Sequence, residues 1–485
     1  MDRPEAVAGP QPSHGSSQSG RVFSLWIGLA GVLAALAAAL VLNGHRFDWG
    51  LPAAEMPAIP LAVGLAAAGL AYLMLPFLVR RSVANDTRTL LAFTIAVGCA
   101  LRLILFWSTP ALEDDYHRYL WDGAVSAHGF NPYEMAPEDA PDADPGDGRV
   151  RLAAAAGQVF ERINHPELTT VYPPVAQAAF ALAYLIRPWS LTAWRVVCLA
   201  GELATLILLL ALLHAAGRSP LWAALYWWNP LIVKELINSA HMEAIVTPLV
   251  LGALWLAVRH RPVGAAAMIG LAAGAKFWPI MLAPLVLRSL LHDRRRLTLA
   301  LGLLGGLCVA WALPIYLAGI DEGSGTLAYA QHWKTNSALF PALERLATLG
   351  LAGFTLEEET PGLIVRGLLA AIVGGFALRL AWRPIDNAGD LMIRAGLVTA
   401  ALFLLSPAQF PWYAAWTMPF VVFRPSWGLL AATAVLPIYY VSFYFRAADA
   451  YGVFRDGIVW LIWLPVWSLL AFELYARRSG GARDA

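Results

Sequence analysis

A succession of apolar runs of about 15–21 residues dominates the chain, each near the length a helix needs to cross a hydrocarbon core about 30 Å thick. Inside a bilayer every backbone polar group must find its partner within the protein, so runs of this length demand helices. Charge content agrees. Only 14% of the 485 residues are charged and 59% are hydrophobic, with mean hydropathy +0.59, whereas a soluble domain carries about 25% charged residues. The fold class is therefore all-α, a polytopic membrane protein. A net charge of +1 gives no reason to expect nucleic acid. Cys99, Cys198 and Cys308 lie inside apolar runs without metal-ligand or disulfide spacing. No phosphate-binding glycine loop, dinucleotide fingerprint or H-E-x-x-H sequence is present.

Residues 1–20 are rich in Pro, Ser, Gly and Gln and are expected to form a disordered tail. A first span follows from Val22 to Leu42, and residues 21–485 are expected to form a single transmembrane domain. Arg80-Arg81 and Arg88 lie between spans at 60–79 and 89–107, which makes that loop and the N-terminus cytoplasmic. Residues 108–172 then form one extracytoplasmic segment, with a helix along the membrane surface at 150–162, and 319–361 a second outer loop. The run 173–186 is too short for a confident crossing. Further spans fall near 196–213, 221–233, 241–258, 262–275, 277–291, 298–318, 363–381, 391–405, 411–423, 428–445 and 457–476. The basic groups Arg259-His260-Arg261, Arg294-Arg295-Arg296, Arg379 with Arg383 and Arg477-Arg478 all fall inside if 173–186 does not cross. The expected total is about 12–14 crossings with both termini inside.

At the exit of one span stands Glu113-Asp114-Asp115, followed by Tyr116-His117-Arg118-Tyr119. Carboxylates beside a membrane helix carry a desolvation cost, so a cluster of them marks function. Group transfer to an alcohol needs a carboxylate to accept the hydroxyl proton. It also needs positive charge where a phosphate leaving group becomes more negative. Asp114 and Asp115 can supply the first; Lys276, Lys334, His332 or Arg446 can supply the second. His241 with Glu243 is read equally as a structural polar pair or a substrate contact, and Lys276 as a phosphate contact or a snorkelling side chain. His165 is a substrate candidate, and Trp333 can stack on a sugar. Tyr172, Trp412 and Tyr413 also suit interfacial anchoring.

The order of several short motifs resembles the GT-C superfamily of integral-membrane glycosyltransferases, in particular its polyprenyl-phosphate-mannose-dependent branch. These are Glu113 to Asp115 with Tyr116 to Leu120, Gly129 to Tyr133, Tyr172 to Pro174, Asn229-Pro230, Ser239 to Glu243, Lys276 to Pro279, His332 to Asn336, Ser406-Pro407 and Pro411 to Tyr413. Met242-Glu243 and Gln409 depart from the commoner Asn-Asp and His of relatives. The resemblance implies an inverting transfer from a polyprenyl-phosphate sugar to a lipid or glycan acceptor, with Asp115 as general base and Tyr119 four residues on. Asp114 is its neighbour, able to exchange roles or to hold a divalent cation with it. Glu113, His117, Arg118, Tyr119, His165, Tyr172, His241, Glu243, Lys276, His332, Trp333, Gln409 and Arg446 are the expected substrate-binding side chains. Alternatives are the same fold using arabinose or glucose, a transporter with Asp114/Asp115 as its proton or cation site, and a silent partner in a membrane assembly.

Overall fold

Where the apolar runs are long and unbroken the chain makes single helices; where proline and polar residues interrupt them it makes short broken ones. The structure, a computed structural model, describes residues 14–83, 87–320, 323–355 and 357–481. Among these there is no strand, and nine helices are long and apolar enough to span a membrane. They are Gly20–Leu42, Ala58–Ser82, Arg88–Phe106, Leu191–Ala215, Arg294–Ala318, Thr360–Trp382, Ala388–Leu405, Trp427–Ala447 and Tyr451–Ser479. The first helix begins at His14, inside the segment expected to be a tail; residues 1–13 of that expectation lie outside the described residues.

The count of about 12–14 crossings is approached only by including interrupted segments. Pro230–Asn238 and Glu243–Val258 form a pair bent by 116°, and Pro174–Ile186, Pro262–Ala275 and Trp278–Leu290 are shorter apolar helices. The expected span at 221–233 is not one helix. It is a 3-10 turn Pro220–Ala223 and two single α-turns, Ala224–Trp227 and Pro230–Val233, followed by a π-turn Lys234–Asn238. The window 411–423 likewise divides into Pro411–Tyr413 and Ala414–Val421. Proline lacks an amide hydrogen and clashes with the preceding turn, so it starts helices more readily than it continues them. Irregular backbone is tolerated at membrane depth only when protein surrounds it, and 221–240 are buried except for the half-buried Pro230.

The long loop has its own small core. Trp121, Val125, Ala140, Leu152, Ala153, Ala156 and Ile163 pack together beneath helices Gly148–Ala156 and Gln158–Glu161, which take the place of the expected surface helix. Helix Asp115–Ala127 lies against Pro174–Ile186 so closely that a Cβ at Gly123 would sit 2.5 Å from the Phe180 carbonyl oxygen. Arg118 crosses the loop, donating to Asp122 at 2.9 Å and to the carbonyls of His165 and Leu168. Thr169 then donates its amide to the Gly323 carbonyl at 2.9 Å, tying the first outer loop to the second.

Candidate active site

Two buried polar residues fix the approach to the acidic cluster. Arg195 donates to the carbonyls of Phe106, Ser108 and Asn238, while the Asn238 amide donates to Ser108 and Thr109. Leu112 turns the chain with φ +57°. Asp114 then occupies the position just before helix Asp115–Ala127 but makes no side-chain cap, which leaves its carboxylate for the cavity. The positive end of that helix favours both aspartates as anions.

They open on a cavity of about 630 Å³. Its walls come from the first loop, from Met242-Glu243, from Ala275 to Phe277, from the 325–335 segment, and from Phe410, Trp412, Tyr413, Tyr439, Phe443 and Arg446. Asn164 donates one amide nitrogen to both acids, at 3.0 Å to Asp114 Oδ1 and 2.8 Å to Asp115 Oδ1. Asp115 also accepts from the Tyr119 hydroxyl at 3.3 Å and lies 3.6 Å from His241 Nδ1. Burial pushes Asp114 up to about 6, helped by repulsion from Asp115. Burial would raise Asp115 as well, but His241, Asn164 and Tyr119 together outweigh it and hold Asp115 below the usual carboxylate range. Burial lifts Glu113 to about 8. These opposed shifts favour the anion at Asp115 and the neutral acid at Glu113.

Behind the cavity wall His241 is the common neighbour. Its Nε2 lies 3.4 Å from Glu235 and 3.7 Å from Glu113, and its ring stacks on Trp412 with centroids 3.9 Å apart. The left-handed Ala240 (φ +57°) and a hydrogen bond from Trp194 to the Ala240 carbonyl set its direction. Glu235 accepts from the Tyr440 hydroxyl at 2.6 Å and lies 3.4 Å from the Lys234 ammonium. Lys234 and a protonated His241 thus balance Asp115 and Glu235 when Glu113 is neutral.

By sequence Asp114 and Asp115 are able to hold a divalent cation, with no metal assigned; both already accept hydrogen bonds from the Asn164 amide. The Asn164 amide group points its hydrogens at both carboxylates. The grouping with ligand atoms within 4.8 Å of one another is instead Glu113, Glu235 and His241, where Lys234 already supplies positive charge.

Of the expected site residues, Glu113, Asp114, Asp115, Arg118, Tyr119, His165, Tyr172, Glu243, Lys276, His332, Trp333 and Arg446 line the cavity. Three do not. His117, two positions beyond Asp115, projects from the opposite side of the helix; it is buried against Tyr116, and burial drives it down to about 4. Gln409 donates to the carbonyls of Phe403 and Leu404 and closes the end of the preceding helix. His241 acts from behind the wall. Lys276 lies in extended backbone after Pro262–Ala275, pairs with Glu243, and sits 4.4 Å above the Tyr413 ring. Trp412 has His241 on one face and Phe410 on the other, whereas Trp333 makes an edge contact with His165 and a tilted one with Tyr329, so its face can meet a sugar. Sequence reasoning passed over Asn164, which carries no distinguishing signal. It left Lys234-Glu235 without a role, although two charges within an apolar run are a visible one.

Paired carboxylates over a substrate-sized cavity in a polytopic helical bundle suit an integral-membrane glycosyltransferase, and the family match and the relative below make that class the chain's own. The chain belongs to the MptA/B family: residues 18–292 match the domain described as "Alpha-(1->6)-mannopyranosyltransferase, N-terminal domain". Over 455 residues it is 26% identical to alpha-(1->6)-mannopyranosyltransferase A of Mycobacterium tuberculosis, covering 89% of this chain and 81% of that protein. No solved structure matches it. The family match contains the acidic cluster, Asn164, Glu235, His241, Glu243 and Lys276, while Trp333 and Arg446 lie beyond it.

Proposed function

We propose that the protein transfers a mannosyl group from a polyprenyl-phosphate carrier to a hydroxyl of a lipid-linked or polysaccharide acceptor, with inversion, at the extracytoplasmic face. The observation that carries this reading is Asp115: an ionised carboxylate on the cavity wall, oriented by Asn164, Tyr119 and His241. The acceptor oxygen attacks the anomeric carbon as the carbon–oxygen bond to phosphate breaks, and Asp115 takes the acceptor proton. Orientation matters as much as basicity, because a misplaced base forfeits most of its effect. Trp333 offers a face for the sugar. Arg80 and Arg81 lie at the end of Ala58–Ser82 next to the start of Arg88–Phe106, whose far end leads into the acids. The positive-inside rule puts that far end outside.

The test is transfer by purified protein in vesicles supplied with polyprenyl-phosphate mannose. Asp115→Asn should lower transfer by about 10³-fold or more without loss of folded protein. Normal transfer by that variant removes the base assignment. Release of arabinose or glucose from equivalent carriers, with mannose retained, removes the sugar assignment.

A further inference from the structure

Six basic side chains line the cavity: Arg118, His165, Lys276, His332, Lys334 and Arg446. Among the described residues five have a carboxylate partner, the two histidines forming an ion pair only when protonated. Arg118 pairs with Asp122 at 2.9 Å, His165 with Glu167 at 3.2 Å, His332 with Glu359 at 2.6 Å, Lys334 with Glu344 at 2.6 Å, and Lys276 with Glu243. Arg446 forms no ion pair among the described residues; its guanidinium carbon lies 4.1 Å above the Tyr451 ring, which holds the plane and leaves the donors free. Beside it the wall is aromatic, with Phe410, Tyr439 and Phe443.

We infer that Arg446 is the anion anchor of this cavity, receiving the phosphate of an isoprenoid-phosphate ligand whose first apolar units lie on the Phe410, Tyr439 and Phe443 wall. The inference rests on the transfer reaction proposed above and selects one cation from those available to it. A cation already neutralised by a neighbouring carboxylate gains little from a second anion, while an unpaired guanidinium can bind phosphate oxygens through two parallel hydrogen bonds. The acids at Asp114 and Asp115 repel phosphate, so the reacting carbon lies between the two ends. As the carbon–oxygen bond breaks, its electron pair stays on the phosphate oxygen. The singly charged diester becomes a doubly charged monoester, while the acceptor proton passes to Asp115. The extra charge exists only as the bond breaks, so Arg446 stabilises the transition state more than the bound donor.

Arg446→Gln should lower kcat/KM for the donor by about 10²–10³-fold, largely in kcat, and Arg446→Lys should restore part of it. On the unaltered protein, geranyl phosphate should bind or inhibit about 10- to 100-fold more tightly than geraniol, and Arg446→Gln should erase that difference. Unchanged donor kinetics in Arg446→Gln overturn the inference. Equal binding of geranyl phosphate and geraniol by the unaltered protein does the same, and needs no variant to fold. Direct binding of geranyl phosphate also separates the two readings: a protein that binds it through Arg446 yet transfers no sugar refutes the proposed reaction and leaves the anchor standing.

Discussion

Arg102 and Glu202 make one buried charge cluster; Glu113, Asp115, Glu235 and His241 make another. In the first, Arg102 donates to Glu202 at 2.6 Å and to the Gly98 and Trp227 carbonyls, lies 3.3 Å over the Trp227 ring, and leaves the second Glu202 oxygen to the Tyr226 hydroxyl. In the second, among the described residues, neither His241 nitrogen makes a well-aligned hydrogen bond and Glu113 Oε1 has no hydrogen-bond partner. Buried polar groups are normally satisfied, and exceptions call for an explanation. A closed network holds helices in register; an open one leaves acceptors and charges without partners beside the cavity.

The sharpest test of that contrast sets Asp115→Asn, expected to abolish transfer in a folded protein, against Arg102→Met. Removing Arg102 leaves Glu202 charged and unpaired at a cost of about 3–5 kcal/mol. Thermal denaturation in detergent should then show a lower Tm and poor yield, with near-normal turnover in whatever protein folds. A stable Arg102→Met protein that has lost activity would put the first cluster among the catalytic groups.

A smaller effect comes from protonation. Transfer should rise with pH as Asp114 ionises near 6 and fall as Glu113 ionises near 8 and adds a third negative charge around His241. Asn164→Ala removes a donor that favours both ionised aspartates, so the acid limb should move to higher pH, with about tenfold slower transfer at neutral pH. Glu113→Gln, permanently neutral, should flatten the alkaline limb. A kcat/KM profile with neither limb, or limbs unmoved by these variants, breaks the assignment of charge states.

The smallest expected change is at Trp333. Trp333→Ala should raise donor or acceptor KM about 5- to 15-fold, the scale of one lost aromatic contact, with kcat little altered. Trp412→Ala should act differently, disturbing His241 and lowering kcat, because both its faces are already covered.

Much of the site was legible before any coordinates. Glu113, Asp114 and Asp115 stand out because three acids at a helix exit are costly, and the segments carrying Trp333 and Arg446 fall on the same side by the charge pattern, whereas that pattern leaves the depth of Lys276 open. The errors have local causes. His117 follows the acids in sequence, yet helical geometry turns it away from them. Gln409 occupies a motif position but spends its amide on a helix end. The window 221–233 has the composition of a span, but Asn229-Pro230 within it and Lys234-Glu235 just after it accompany a broken core segment instead.

Hydrophobic length and charge deficit alone determined that this chain lives in a membrane as helices, and the acidic run alone marked the candidate site. Both are properties of contiguous residues. Only the tertiary structure decided that His241 and Glu235 reach the acids from more than a hundred positions away, and that, among the described residues, five basic side chains of the cavity have a carboxylate partner while Arg446 has none. Convergence and pairing depend on how separate segments pack, and no short stretch of sequence contains that information.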